Sequence, residues 1–549
     1  MTRLLSIALF LIATIPAAAQ TPPPPTGVIR GRVVSSDGRP VKQMIVRAVG
    51  SGTVAGIAET GRVMQRGALT DAEGRFELKD LAGDTYTIMV FRGGYVTIDQ
   101  ATRRATPGKR VRLADGEVLE RVDVVVGRTS AITGRVTDDD GEPVEGAAVQ
   151  PLRVAFANGH RQVIEAGRSR VTNDLGQFRL YGLQPGQYVL SVQPATTGVS
   201  RMPGYPLTYY PGSPALADAQ FVAVDIGHDA QGVDVRVSPG RTARISGVAF
   251  DASGRPLNGT MILAHSQRFG GLSAAPRQIS LQRDGTFTIA GVGPGEYVLQ
   301  SLAFTGDDHA QFATQFVSVG EEDVEGVVLR ASAGSTVSGR ITIEGDASTI
   351  KPSAFRIWPF PSDFDLAPMI GNGYRATVQS DWTFSMKGLF GPLVFRLLDG
   401  PAGWMIKAVR SGAADVTDTP LMFGRPNQSL DDVEIVVTNR SASVSGTASD
   451  ARGQPLTDYT VVVFAVNKDR WYRESRLLKY AIAEPDGSFS IRGLPAAEYF
   501  VAAVDWMEPS PGFGDWQDPE ILEALARRAT RVTLRDGQRV QLALKLVPR

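Results

Sequence analysis

Asp71-Ala72-Glu73-Gly74-Arg75-Phe76, followed after four residues by Leu81-Ala82-Gly83-Asp84-Thr85-Tyr86, is the stretch from which the fold is read. Its Phe and Tyr stand ten positions apart, and Phe178/Tyr188, Phe287/Tyr297 and Phe489/Tyr499 repeat that spacing. Phe384 and Val394 are a worn version. A unit that recurs roughly every hundred residues with its internal register intact is one small domain copied in series. The pattern consists of turn residues and core aromatics, so it speaks to architecture before chemistry.

Upstream of each pair lies a short run in which apolar and polar residues alternate. Examples are Val28-Ile29-Arg30-Gly31-Arg32-Val33, Ala131-Ile132-Thr133-Gly134-Arg135-Val136 and Ser443-Val444-Ser445-Gly446-Thr447. Alternation of this kind marks a half-buried strand. Asp37-Gly38-Arg39-Pro40, Asp140-Gly141-Glu142-Pro143, Ser253-Gly254-Arg255-Pro256 and Arg452-Gly453-Gln454-Pro455 then reverse the chain. Glycine takes the positive φ of a tight turn, and proline fits at the start of the next strand. The fourth copy replaces this turn by Glu344-Gly345-Asp346. Each copy ends in an apolar strand such as Val122-Asp123-Val124-Val125-Val126 or Val540-Gln541-Leu542-Ala543-Leu544. Many short strands with Gly/Pro turns at even spacing predict β-sandwiches. The Phe and Tyr of each pair are expected in the core, and a serial array is expected to couple only neighbouring copies.

Gly-Arg-Val at the opening, Asp-Gly-x-Pro-Val, Asp-x-x-Gly-x-Phe and Leu-x-Pro-Gly-x-Tyr together resemble the carboxypeptidase regulatory-like domain. The resemblance implies a prealbumin (transthyretin)-like, carbohydrate-binding-like β-sandwich, and members that are mostly non-catalytic accessory or surface modules. The expected fold is therefore all-β, a tandem array of five prealbumin-like β-sandwich domains. The divisions read as a signal peptide over 1–19, a Pro-rich leader over 20–26, and sandwiches over 27–127, 128–240, 241–334, 335–440 (divergent) and 441–549, the last with a short amphipathic helix near 518–528.

The signal peptide carries Arg3, an apolar core from Leu4 to Ile15, and Ala17-Ala18-Ala19 as small cleavage residues. That is the anatomy of a secretory signal, and the apolar run is shorter than the ~20 residues of a bilayer span. Export to the periplasm or the cell surface is expected, with no membrane span in the mature chain. The absence of cysteine means folding without disulfides and no thiol or Cys-zinc chemistry. Lys and Arg (57) balance Asp and Glu (57), which favours neither nucleic acid nor an anionic membrane.

His160, His228, His265 and His309 are the only histidines, and they fall in separate stretches without a His-Glu-x-x-His pairing. No Gly-x-Ser-x-Gly elbow or P-loop occurs, so the expectation is no enzyme, no cofactor and no metal. Asp138-Asp139-Asp140-Gly141 offers oxygen ligands in principle, but the parallel copies read it as a hairpin turn. An intramolecular Lys isopeptide bond is rejected because the opening strands carry Arg32, Arg135 and Arg340.

Loop aromatics are the candidate ligand-binding residues: Trp471, Tyr472, Trp506, Phe513 and Trp516 in the fifth copy, and Tyr205, Tyr209 and Tyr210 in the second. Trp358, Phe360 and Trp404 add a third group. Flat aromatic faces beside polar groups suit a glycan or an extended peptide. The competing reading is that they anchor long loops. The chain thus reads as an exported, non-catalytic binding or scaffold protein, with carbohydrate implied by resemblance. The alternatives are a structural or adhesion spacer, or an accessory subunit of an exported hydrolase or transporter.

Overall fold

The computed structural model describes residues 27–50, 66–99, 104–157, 160–194, 205–240, 242–266, 274, 276–305, 309–345, 350–369, 377–401, 403–425, 428–505, 507 and 514–547. The signal peptide and Pro-rich leader lie outside them. The structure is almost wholly β, with a single α-helix among the described residues, Pro519–Ala526. Two compact units divide the chain: residues 1–92 with 97–126, and residues 93–96 with 127–549.

Among the described residues one three-strand arrangement recurs five times. An opening strand pairs antiparallel with the strand carrying the motif Phe. It also pairs parallel with the closing strand. In the first repeat the three are Gly27–Ser35, Arg75–Leu81 and Val124–Arg128. The others are Ser130–Thr137 with Gln177–Leu183 and Val235–Arg236, then Ala243–Phe250 with Thr286–Val292 and Val324–Arg330. Ser335–Glu344 pairs with Thr383–Leu389 and Ser429–Thr438, and Ala442–Ser449 with Ser488–Leu494 and Arg539–Val547. In the first four repeats a separate second sheet accompanies this arrangement, as in Ala148–Ala157 with Gly186–Gln193, whereas in the fifth Thr460–Ala465 and Ala497–Val504 join the same sheet through the parallel pairing of Ala497–Val504 with Arg539–Val547. The parallel pairing of first and last strands was not read from the sequence, because alternation gives strands but not their partners.

The opening-strand glycine sits across from the Phe in all five: Gly31 from Phe76, Gly134 from Phe178, Gly247 from Phe287, Gly339 from Phe384, Gly446 from Phe489. A Cβ at Gly134 would collide with the Val233 carbonyl and touch the Phe178 ring at 3.0 Å. Only glycine lets the closing strand come this close. Phe76, Phe178, Phe287 and Phe489 are buried, as are Tyr86, Tyr188, Tyr297 and Tyr499. Each tyrosine hydroxyl donates back to the carbonyl four residues upstream, for example Tyr188 to Gln184 at 2.7 Å and Tyr499 to Pro495 at 2.8 Å. Val394 of the fourth repeat is buried but has no hydroxyl to do this.

Asp138 accepts from the backbone N–H of Asp140 (3.0 Å) and Glu142 (2.9 Å). Asp71, Asp251 and Asp450 make the same pair of bonds in their own repeats, so the acidic run works as turn chemistry. The helix falls where the periodicity placed it. Asp518 caps it by accepting from the Glu520 N–H, and Leu522 and Leu525 are buried.

Candidate functional site

Within the unit 127–549, the polar chemistry gathers where repeats meet. Arg396 lies in the otherwise apolar strand Gly391–Asp399 of the fourth repeat, with its side chain only 7% exposed. Nε donates to the Glu474 carbonyl of the fifth repeat at 2.7 Å, and Nη1 to the carbonyls of Phe395 and Thr417. Nη2 donates to the Tyr472 hydroxyl at 2.9 Å and to Asp418 at 3.2 Å. Asp418 also receives Arg476 through Nε and Nη2, and the Tyr472 hydroxyl at 3.2 Å. Arg476 Nη1 continues to the carbonyls of Ile406 and Lys407.

Burial alone would raise the Asp418 pKa. The hydrogen bonds from Arg476 and the positive charges of Arg476 and Arg396 outweigh it, and the carboxyl sits below its ordinary value. Burial pushes Glu474 up, against the pull of Arg473 and Arg396. A guanidinium donating in five directions to fixed acceptors is a lock, because each partner removed would leave a buried polar group orphaned.

Two further joints follow the same logic. Gln300 of the third repeat is buried. Its amide donates to the carbonyls of Phe364, Asp365 and Ala367, while its carbonyl accepts from Met369 N–H. Ser266 donates to Asp365 at 2.7 Å, and Phe312 of the third repeat enters the core of the fourth, 5.3 Å from Phe390. Arg161 of the second repeat pairs with Asp518 and Glu520 of the fifth, each at 2.6 Å, and Gly514 N–H donates to the Phe156 carbonyl. The second and fifth repeats therefore touch. The expectation of coupling between sequence neighbours only is corrected, because the helix cap of the fifth repeat reaches a strand end of the second.

The candidate aromatics are distributed accordingly. Trp471 is buried, with its indole N–H donated to the Ala465 carbonyl at 2.6 Å and its ring edge-on to Phe464. It offers no free face for stacking, contrary to the exposed position expected. Tyr472 is half-buried, with its hydroxyl held between Arg396 and Asp418. Trp516 is half-buried, 4.7 Å from Tyr480, and packs on the cluster around Leu522. Tyr209 is buried, which pushes its pKa up to about 12, with a smaller contribution from Tyr297. Tyr205 and Tyr210 are half-buried against the core of their repeat. Trp506 and Phe513 lie outside the described residues. The described rings of the second and fifth repeats are thus spent on packing, because each loop they stand on needs an apolar anchor.

Asp418, Arg396 and Arg476 were not found from the sequence. Arg396 alone gave a sign: one arginine inside Leu393-Val394-Phe395-Arg396-Leu397-Leu398, a run that otherwise reads as core. Among the described residues there is no group of three or more His, Asp or Glu placed to hold a metal ion. None of their helices is long and apolar enough to cross a membrane.

No curated protein matches the chain. Among solved structures it is similar to the minor pilin GBS52 of Streptococcus agalactiae, at 12% identity and a TM-score of 0.24, covering 39% of this chain and 96% of that one. It is similar to a double mutant of the shaft pilin SpaA of Lactobacillus rhamnosus GG, at 12% identity and a TM-score of 0.20, covering 40% and 98%. The major pilin subunit BcpA of Bacillus cereus gives 9% and 0.15, covering 56% and 100%. Similarity this slight carries nothing about what this chain assembles with. The family model of the carboxypeptidase regulatory-like domain matches 28–126 and 131–243, the first two repeats. These two segments are carboxypeptidase regulatory-like domains.

Proposed function

We propose that this chain is an exported, non-catalytic scaffold that holds a series of β-sandwich repeats in fixed register. The observation that supports it is the construction of the joints. Gln300, Arg396 and Asp418 are buried or nearly so, and each spans two repeats through saturated hydrogen bonding. Such groups fix geometry, and a flexible string of beads has no use for them. The aromatics that a glycan or extended peptide would stack on are mostly turned inward in the described residues, which favours the spacer reading over ligand binding at the fifth repeat.

Trp471→Ala and Trp516→Ala separate the two. The scaffold reading expects both to lower the melting temperature, Trp471→Ala the more, and to leave a glycan-array profile of the purified chain unchanged. Loss of a specific glycan or peptide signal with melting intact would overturn it.

A further inference from the structure

A second feature of the joint between the fourth and fifth repeats is a cleft that the lock does not fill. It has a volume of about 250 Å³ and is lined by Leu397, Leu398, Pro401, Trp404, Lys479 and Arg492, with glycines at 400, 403 and 493. Trp404 belongs to the aromatics that the sequence singled out. Its ring meets that of Phe355 with centroids 5.6 Å apart and nearly perpendicular, which helps hold its orientation, and Trp404 lines the cleft. A turn bond from Trp404 N–H to the Pro401 carbonyl, and Ser441 donating to the Gly403 carbonyl, hold this rim in place.

Lys479 comes from the strand Leu478–Ile482 of the fifth repeat, and Nζ donates to the Arg492 carbonyl at 2.9 Å. Gly493 has φ +72°, and a Cβ there would stand 2.7 Å from that Nζ, so the glycine leaves the space the ammonium occupies. Arg492 is exposed beside it. Among the described side chains neither cation forms an ion pair with a carboxylate. Two cationic residues without an ion-pair partner among the described side chains, in a cleft also lined by Trp404 and two leucines, are complementary to an anion carried on a flat body.

The geometry points to a binding site in this cleft for a single-ring carboxylate. The carboxylate is held by Lys479 and Arg492, and the ring lies against Trp404 and Leu397. The volume sets the size, since it is below the roughly 300–1,000 Å³ that drug-sized ligands need. Burial lowers the Lys479 ammonium to about 8, so its charge, and the affinity with it, is present at pH 7 and declines as the pH rises through that value. The site goes beyond the scaffold reading and does not depend on it.

Titration of the full mature chain with glucuronate, benzoate and, as the neutral control, glucose tests it, followed by tryptophan fluorescence and calorimetry. Saturable binding of glucuronate or benzoate at pH 7 is expected, at least ten-fold tighter than glucose. Whichever of the two binds identifies a sugar or a non-sugar source of the carboxylate. Lys479→Gln should weaken it at least ten-fold, Lys479→Arg should retain most of it, and both should melt like the parent. Binding by the parent should fall between pH 7 and 9. No saturable binding of either acid, or binding that Lys479→Gln leaves unchanged while melting is unchanged, overturns the assignment.

Discussion

Tyr188 shows what one side chain contributes to a repeat. Its ring fills the core, and its hydroxyl ties the following turn through Gln184. The two roles separate by substitution. Tyr188→Phe keeps the ring and loses the bond, at an expected cost of about 0.5–1.5 kcal/mol in urea unfolding. Phe178→Ala opens a cavity opposite Gly134 and should cost about 3–5 kcal/mol by the same measurement. Both residues were legible in the sequence, since a turn glycine and a core aromatic at fixed spacing leave few choices of conformation. Asp418 was not legible. Its partners Arg396 and Arg476 are 22 and 58 residues away, and nothing local distinguishes it from any loop aspartate.

Among the elements, the strands and turns followed from alternation and Gly-Pro chemistry, and the helix Pro519–Ala526 from its apolar spacing. Their partners did not. The parallel pairing of opening and closing strands closes each repeat across about a hundred residues, which no local pattern encodes. The loop aromatics were seen as candidates but not as anchors, because exposure is set by tertiary packing.

The joint between the strand Gly391–Asp399 and the loop around Tyr472 supplies the element-scale predictions. Arg396→Ala leaves Asp418 and several carbonyls short of a donor and should destabilise by about 3–5 kcal/mol. The pH dependence follows from Asp418, whose carboxyl lies below its ordinary 3.8 in the folded state. The unfolded chain therefore takes up this proton more readily than the folded one. The contribution is fully present above the ordinary value and is lost as the pH falls through the folded value. Asp418→Asn should be less stable at pH 7 and should show a shallower loss of stability between pH 5 and 3, read from urea midpoints.

At the scale of the whole molecule, the copies in the unit 127–549 are bound to one another by side chains as well as by sequence. The third lends Phe312 to the core of the fourth, the fourth and fifth share Arg396 and Asp418, and the fifth returns to the second through Arg161. The periodicity showed that a domain had been copied. It could not show that these copies are fastened together, because the fastening residues occur once each and are no part of the recurring pattern. We therefore expect residues 127–547 to behave as one cooperative body rather than as independent sandwiches.

Native-state hydrogen exchange of the parent chain and of Arg396→Ala measures this most directly. The account predicts that the slowest amides of Ala148–Ala157, Thr260–His265, Gly391–Asp399 and Thr460–Ala465 all lose protection together, and by the same factor. Loss confined to the fourth and fifth repeats, with the second and third unchanged, would contradict it.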